Sequence, residues 1–204
     1  MATTAPIMET LGTPSPNVDG KAIAITVFST VKWPGAIWLP GVFFVGTHLP
    51  KLPLVRSLPD KLAKLSFIHF ARWTLVRELP DNGQPAEDLR YPHLYFESNF
   101  NGGWAEYIDA FSHILTSGMK IFWWTSYGFP NPLPTGPFKA YISRHETVAS
   151  HFYSAYPQAT TTMVLSGIEL EERLERFDVE SGDLSDEAFA ERWREFLTDV
   201  QELI

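Results

Sequence analysis

Two ionisable side chains stand inside one apolar run, "LSFIHFARWTLV" at residues 65–76: His69 and Arg72. Side chains of an extended chain alternate between faces. That alternation puts Phe67, His69, Ala71, Trp73 and Leu75 on one side and Ile68, Phe70, Arg72 and Thr74 on the other. A histidine among aromatic residues can act as a general base or hydrogen-bond a carbonyl. A buried arginine must meet an anion or a carbonyl, because an unpaired buried charge is very costly. Glu97, in "HLYFESNF" at 93–100, is the obvious partner if the two runs pair as a hairpin. It is then either a structural counter-ion for Arg72 or the group that orients Arg72 or His69 toward a ligand. Asn99 shares the Glu97 face and either touches substrate or turns the strand into the "NGG" break at 101–103, where Asn101 suits a helix cap. His69, Arg72, Glu97 and Asn99 are the candidate catalytic residues.

Trp73, Tyr95, Trp124 and Tyr127 would supply the aromatic lining of a pocket. Trp123 and Trp124 point to opposite faces in an extended chain, so only one can do so. His145 lies on the apolar stripe of a helical pattern, where the residues alone read as a hydrogen-bonded pocket or core histidine. His151 falls on another side of that pattern, and "HETVASH" misses the two-histidine zinc spacing because residue 149 is alanine. There is no G-x-S-x-G, G-x-G-x-x-G or P-loop, so serine-hydrolase, classical dinucleotide and P-loop readings have no local support.

The elements that must position these residues follow from periodicity. "KAIAITVFSTVK", 21–32, is rich in β-branched residues and reads as a strand. The uncharged run "WPGAIWLPGVFFVGTHLP", 33–50, is short for a membrane span and carries two internal prolines. It reads as a buried helix kinked at Pro40, with interfacial membrane contact as the second reading. Residues 51–64 are a Pro-punctuated connection, and 65 to about 77 form a second strand. Residues 79–92 form a loop and 93–100 a third strand. Apolar spacing predicts a helix over 103–116. "MKIFWWTSYGF", 119–129, reads as a fourth, aromatic strand, followed by a helix over 138–155. Thr160–Thr162 can cap a further helix to about Phe177, and Asp186–Leu203 is a last amphipathic helix.

The chain has 204 residues, 45 % of them hydrophobic, enough for one domain with a real core. Residues 1–20 read as a flexible leader, 21–156 as the domain, and 157–204 as acidic helices packing on it or extending from it. Residues 161–204 hold 13 acidic and 4 basic side chains, leaving 1–160 nearly neutral. That balance offers no basic stripe for nucleic acid. The absence of cysteine excludes disulfides and thiol chemistry and fits a reducing cytoplasm.

The order β-α-β-β-α-β is the split βαβ pattern of ferredoxin-like α+β folds, here with extra C-terminal helices. Over residues 21–156, "HFARW" running into "LYFESNF" and "NGG", then "GFP" and "FKAYISRH", resembles the dimeric α+β barrel superfamily. The likeness is to bacterial members of unassigned function that carry the same HFARW and ESN stretches. The acidic tail and the run at 33–50 are not usual parts of that unit. Members include cofactor-free monooxygenases, polyketide cyclases, lactone isomerases and haem enzymes such as chlorite dismutases. The resemblance implies a homodimer formed through the sheet and a pocket on the open sheet face, but no particular chemistry.

Three functions are consistent with these residues. The first is a metal-free acid/base enzyme acting on a small lipophilic or aromatic molecule, needing no cofactor. The second is a haem protein with His145 as ligand and Arg72 as a distal polar group. The third is a non-catalytic protein that binds a hydrophobic ligand or touches membrane through 33–50.

Overall fold

The computed structural model describes residues 17–49, 51, 61–62, 65–85, 87 and 89–204. Residues 1–16 of the expected leader, and most of the 51–64 connection, lie outside the described residues. The leader expectation fails at its end, because Val18–Asp19 (β1) pairs with the start of Ala22–Thr30 (β2) through the Gly20–Lys21 turn. Gly20 has φ 60°, a conformation that costs a glycine little and suits a two-residue hairpin.

Trp33–His48 (α1) follows β2, then Ile68–Val76 (β3) and His93–Phe100 (β4). The sheet order is β1-β2-β4-β3, and every pair is antiparallel. Alternation sorts the strands cleanly. Ile25, Val27, Leu94, Phe96 and Phe100 are buried on the inner face, joined by the partly buried Ala71, Trp73 and Leu75. Two helices, Trp104–Ile114 (α2) and Thr116–Trp123 (α3), cover that face together with Thr135–His145 (α4). Burial pushes the hydroxyls of Tyr107 and Tyr141, both in this core, above the usual phenol range.

Helix α1 runs through Pro40. A proline lacks the N–H that the carbonyl four residues earlier would accept. That carbonyl belongs to Ala36, and the Arg77 guanidinium, just past β3, donates to it instead. Trp38 Nε1 donates to Ile121 O at 3.0 Å and Phe43 stacks on Phe122, so α1 is held against α3.

Three expectations are corrected here. Residues 119–129 are not a strand: Phe111, Leu115, Met119 and Trp123 recur every four residues and all are buried, so the aromatic run continues the helical stripe of α2 into α3. The chain then turns, with Ser126 bridging to Val31 and Tyr127 N donating to Thr30 O. The fourth strand of the ferredoxin-like order is therefore not where the sequence suggested. The second correction is the helix expected over 138–155, which ends at His145. Glu146 bridges to Val27, Thr147 N donates to Thr26 O, and Lys21 N donates to Pro157 O, so this stretch follows the β2 edge instead. Asn101 is the third. It does not cap α2, whose N-cap is Gly103; its Nδ2 donates to Lys21 O at 2.9 Å.

Lys139 of α4 holds Asp109 of α2 at 2.7 Å, and this pairing keeps the Asp109 carboxyl below the usual carboxylate range. A carboxylate depressed on folding stabilises above its unfolded pKa, and that contribution disappears as pH falls through the folded value. The Asp109 side chain is 42 % exposed, so solvent screening limits the contribution to under about 1 kcal/mol. The stability gap between the wild type and Asp109→Asn, measured by urea unfolding, should be present at neutral pH and vanish in acid.

The chain divides into two compact units at residues 158 and 159. The second contains Thr161–Ser181 (α5), Asp186–Asp199 (α6) and a final 3-10 turn, Gln201–Leu203. Thr160 caps α5 by accepting from Met163 N, as expected, but the helix runs past Phe177 to Ser181. Phe177, Phe196 and Val200 form its small core. Among the described residues no helix is long and apolar enough to cross a membrane.

Candidate functional site

Pairing register decides which predicted residues meet. On the outer face of the sheet Arg72 stands opposite Glu97 and Glu97 opposite Thr26, with Thr74, Tyr95 and Phe28 forming the next row. Phe70, Asn99 and Ala24 form the row on the other side. Phe28 and Phe70 stand exposed on this face. It is a mixed polar and aromatic surface.

Arg72 and Glu97 do pair. Arg72 Nη2 lies 2.5 Å from Glu97 Oε2, and Arg72 Nε donates to the same oxygen at 2.8 Å. The Tyr95 hydroxyl also donates to Glu97 Oε2 at 2.5 Å, and Arg72 Nη2 reaches the Tyr95 oxygen at 3.3 Å. Three donors thus converge on one carboxylate oxygen. Arg72 Nη1 makes no bond among the described residues, and the Arg72 side chain stays 61 % exposed against 19 % for Glu97. Hydrogen bonding to Tyr95, then to Glu97, holds the guanidinium above even its usual range. Burial first, and the Glu97 carboxylate second, push the Tyr95 hydroxyl up. Both groups therefore keep their protons near neutrality. The hydrogen bonds tie the three side chains into one platform.

The remaining predicted residues scatter. His69 is the extra residue of a β-bulge: Ile68 pairs with Phe100 and Phe70 with Asn99, leaving His69 without a counterpart. A bulge inserts one residue and resets the alternation. His69 is consequently exposed, not placed among Trp73 and its aromatic neighbours as the sequence suggested. Trp73 lies on the inner face, stacked on Phe122 at 4.8 Å and tilted against Phe96 at 5.0 Å. Its Nε1 is buried without a partner among the described residues, beside a hollow of about 10 Å³ lined also by Phe111, Leu115, Gly118, Met119 and Phe122. That space holds at most about one water and no ligand. Trp124 leans edge-on against Trp38, and Tyr127 against Tyr91, with Lys32 Nζ over the Tyr127 ring at 5.7 Å. Asn99 does face outward with Glu97, and its Oδ1 is a buried acceptor without a hydrogen bond among the described residues. A hollow of about 430 Å³ among Leu197, Thr198, Gln201 and Ile204 is lined by none of the predicted residues.

The contacts of His145 are local to its own helix. The ring lies against Tyr141, centroids 4.3 Å apart, and Nδ1 is 2.8 Å from Tyr141 O. A haem-ligating histidine also anchors its second nitrogen, but His48 and His113 make the same bond to the carbonyl four residues back. The contact is what a histidine does near a helix C-terminus. His145 lines neither hollow. Among the described residues no group of three or more His, Asp or Glu is placed to hold a metal ion.

Phe28 is the member of the outer face that sequence reasoning missed; its ring sits 5.0 Å from Tyr95. Alternation within 21–32 already separated Thr26, Phe28 and Thr30 from Ile25 and Val27, but only the β2–β4 pairing brings Phe28 to the site.

No protein-family model, curated protein or solved structure matches the chain.

Proposed function

We propose that this chain is a small-molecule protein built on the dimeric α+β barrel plan, with its site on the outer sheet face. Strands β2, β4 and β3 supply three members of the split βαβ arrangement, and the stretch after His145 along the β2 edge takes the place of the fourth. A second copy closes over the outer face. The ligand is a small lipophilic or aromatic molecule carrying a neutral oxygen acceptor, since Glu97 already offsets the charge of Arg72. Arg72 donates to that oxygen, and Phe28, Tyr95 and Phe70 take its apolar body. Any proton transfer falls to His69 or to His93, which also faces outward, because Tyr95 and Arg72 keep their protons. The observation that carries the reading is the Arg72–Tyr95–Glu97 trio on the sheet face where Phe28 and Phe70 stand exposed.

A thermal-shift screen of aromatic ketones, lactones and quinones tests it. The expected hit raises the melting temperature of the wild type, and Arg72→Met weakens its binding about tenfold, the loss of one hydrogen bond to a charged donor. The free variant should lose no more than about 1 kcal/mol of stability, since the pair is largely solvent-exposed. A hit that binds Arg72→Met and Phe28→Ala as well as the wild type sinks the proposal, as does a screen without hits.

A further inference from the structure

Helix α1 is apolar all round, yet only Gly35 and Leu39 are buried. Gly35, Trp38, Leu39 and Phe43 face the protein, whereas Trp33, Ile37, Gly41 and Phe44 recur at helical spacing on another side. Trp33 is 75 % exposed, Ile37 64 % and Phe44 58 %. Trp124, leaning on Trp38, extends this surface and is half exposed. A contiguous apolar patch of this kind marks an interaction surface.

Charge selects the occupant. The whole chain is acidic, net −8, but residues 20–77 contain eight of its 16 basic residues and only one, Asp60, of its 24 acidic ones. Lys32 and Lys51 flank the helix, Lys120 lies on α3, and all three are exposed. An apolar helix side rimmed by lysines and tryptophans, on a protein that is otherwise acidic, complements an anionic lipid surface. Sixteen residues reach only about 24 Å, short of a bilayer core of about 30 Å. We propose that α1 docks in the plane of an anionic membrane interface, with Trp33, Ile37 and Phe44 in the acyl boundary and Lys32 and Lys51 at the headgroups. This inference is independent of the sheet-face site, which α1 does not line.

Co-sedimentation of the full chain with vesicles, read together with tryptophan emission, tests it. Vesicles of equal parts phosphatidylcholine and phosphatidylglycerol should pellet the protein and shift its emission to the blue, whereas phosphatidylcholine alone should bind far less. Lys51→Glu should weaken partitioning at least fivefold. The double variant Ile37→Glu/Phe44→Glu should lose more than a hundredfold, the combined loss of two buried apolar side chains. Both altered side chains are solvent-exposed, so an unchanged thermal transition shows that folding is intact. The proposal is overturned if the wild type ignores both vesicle types, or if Lys51→Glu leaves binding unchanged. It is overturned equally if sedimentation velocity shows a dimer that the double variant splits, which makes a second copy the occupant. A large fall in melting temperature of the double variant would assign the patch to another stretch of this chain, with the same consequence.

Discussion

Replacing Trp123 with alanine will destabilise the first unit by about 3–5 kcal/mol, while the same change at Trp124 will cost less than about 1 kcal/mol. Trp123 is fully buried. Its ring meets Phe96 edge-on at 5.2 Å and Trp73 at 6.4 Å, and its Nε1 donates to Ser29 Oγ at 3.2 Å. The truncation removes this apolar burial, opens a cavity bounded by rigid rings, and leaves the buried Ser29 hydroxyl without its donor. Trp124 forfeits one edge contact on a half-exposed ring. For a unit of this size the Trp123 change corresponds to a fall of roughly 6–20 °C in melting temperature. Differential scanning calorimetry of the two variants gives the contrast directly. A similar, small shift for both would mean that the 119–129 run is not packed as α3.

The second large effect concerns two glycines of one helix, with opposite signs. Gly35→Leu should destabilise by about 2–4 kcal/mol, and Gly41→Ala should stabilise by up to about 1 kcal/mol. A Cβ at residue 35 collides with the side chains of Thr125 and Val31. Both neighbours are β-branched and buried, so they cannot swing aside. The same contact seats α1 on the end of β2, where Lys32 N donates to Thr125 O. At residue 41 nothing lies within 4 Å of an added Cβ, and alanine simply lowers the entropy lost on forming a helix. Urea midpoints of the two variants and the wild type measure both signs at once. Stabilisation by Gly35→Leu would show that α1 does not seat there.

Local pattern made much of this fold legible. The 93–100 strand, the body of the 21–32 strand and the 103–116 helix follow alternation or helical spacing that any register preserves, and the Arg72–Glu97 pair follows from the hairpin they imply. The failures share a cause. Residues 119–129 contain Phe122, Trp123 and Trp124, whose strand preference outweighed the four-residue spacing from Phe111 to Trp123; that preference expresses packing on a sheet, and here packing favours a helix. His69 was misplaced because a bulge is set by the partner strand, and no residue within 65–76 announces it. The helix expected beyond His145 was lost to backbone hydrogen bonds offered by β2, which are non-local. Trp73, Trp124 and Tyr127 were grouped by type alone, and the fold sends them to three different places.

The bulge at His69 also bears on how the chain behaves in company. β3 is the outermost strand of its sheet, and among the described residues its far side has no strand partner. An unguarded edge is a template on which another chain can add a strand and begin to aggregate. The extra residue breaks the regular ladder at one end of β3, and Arg72 places a charge in its middle. Together they deny an incoming strand the flat, uncharged stretch it would need to zip up, so the irregularity that hid His69 from the sequence also guards the edge of the sheet.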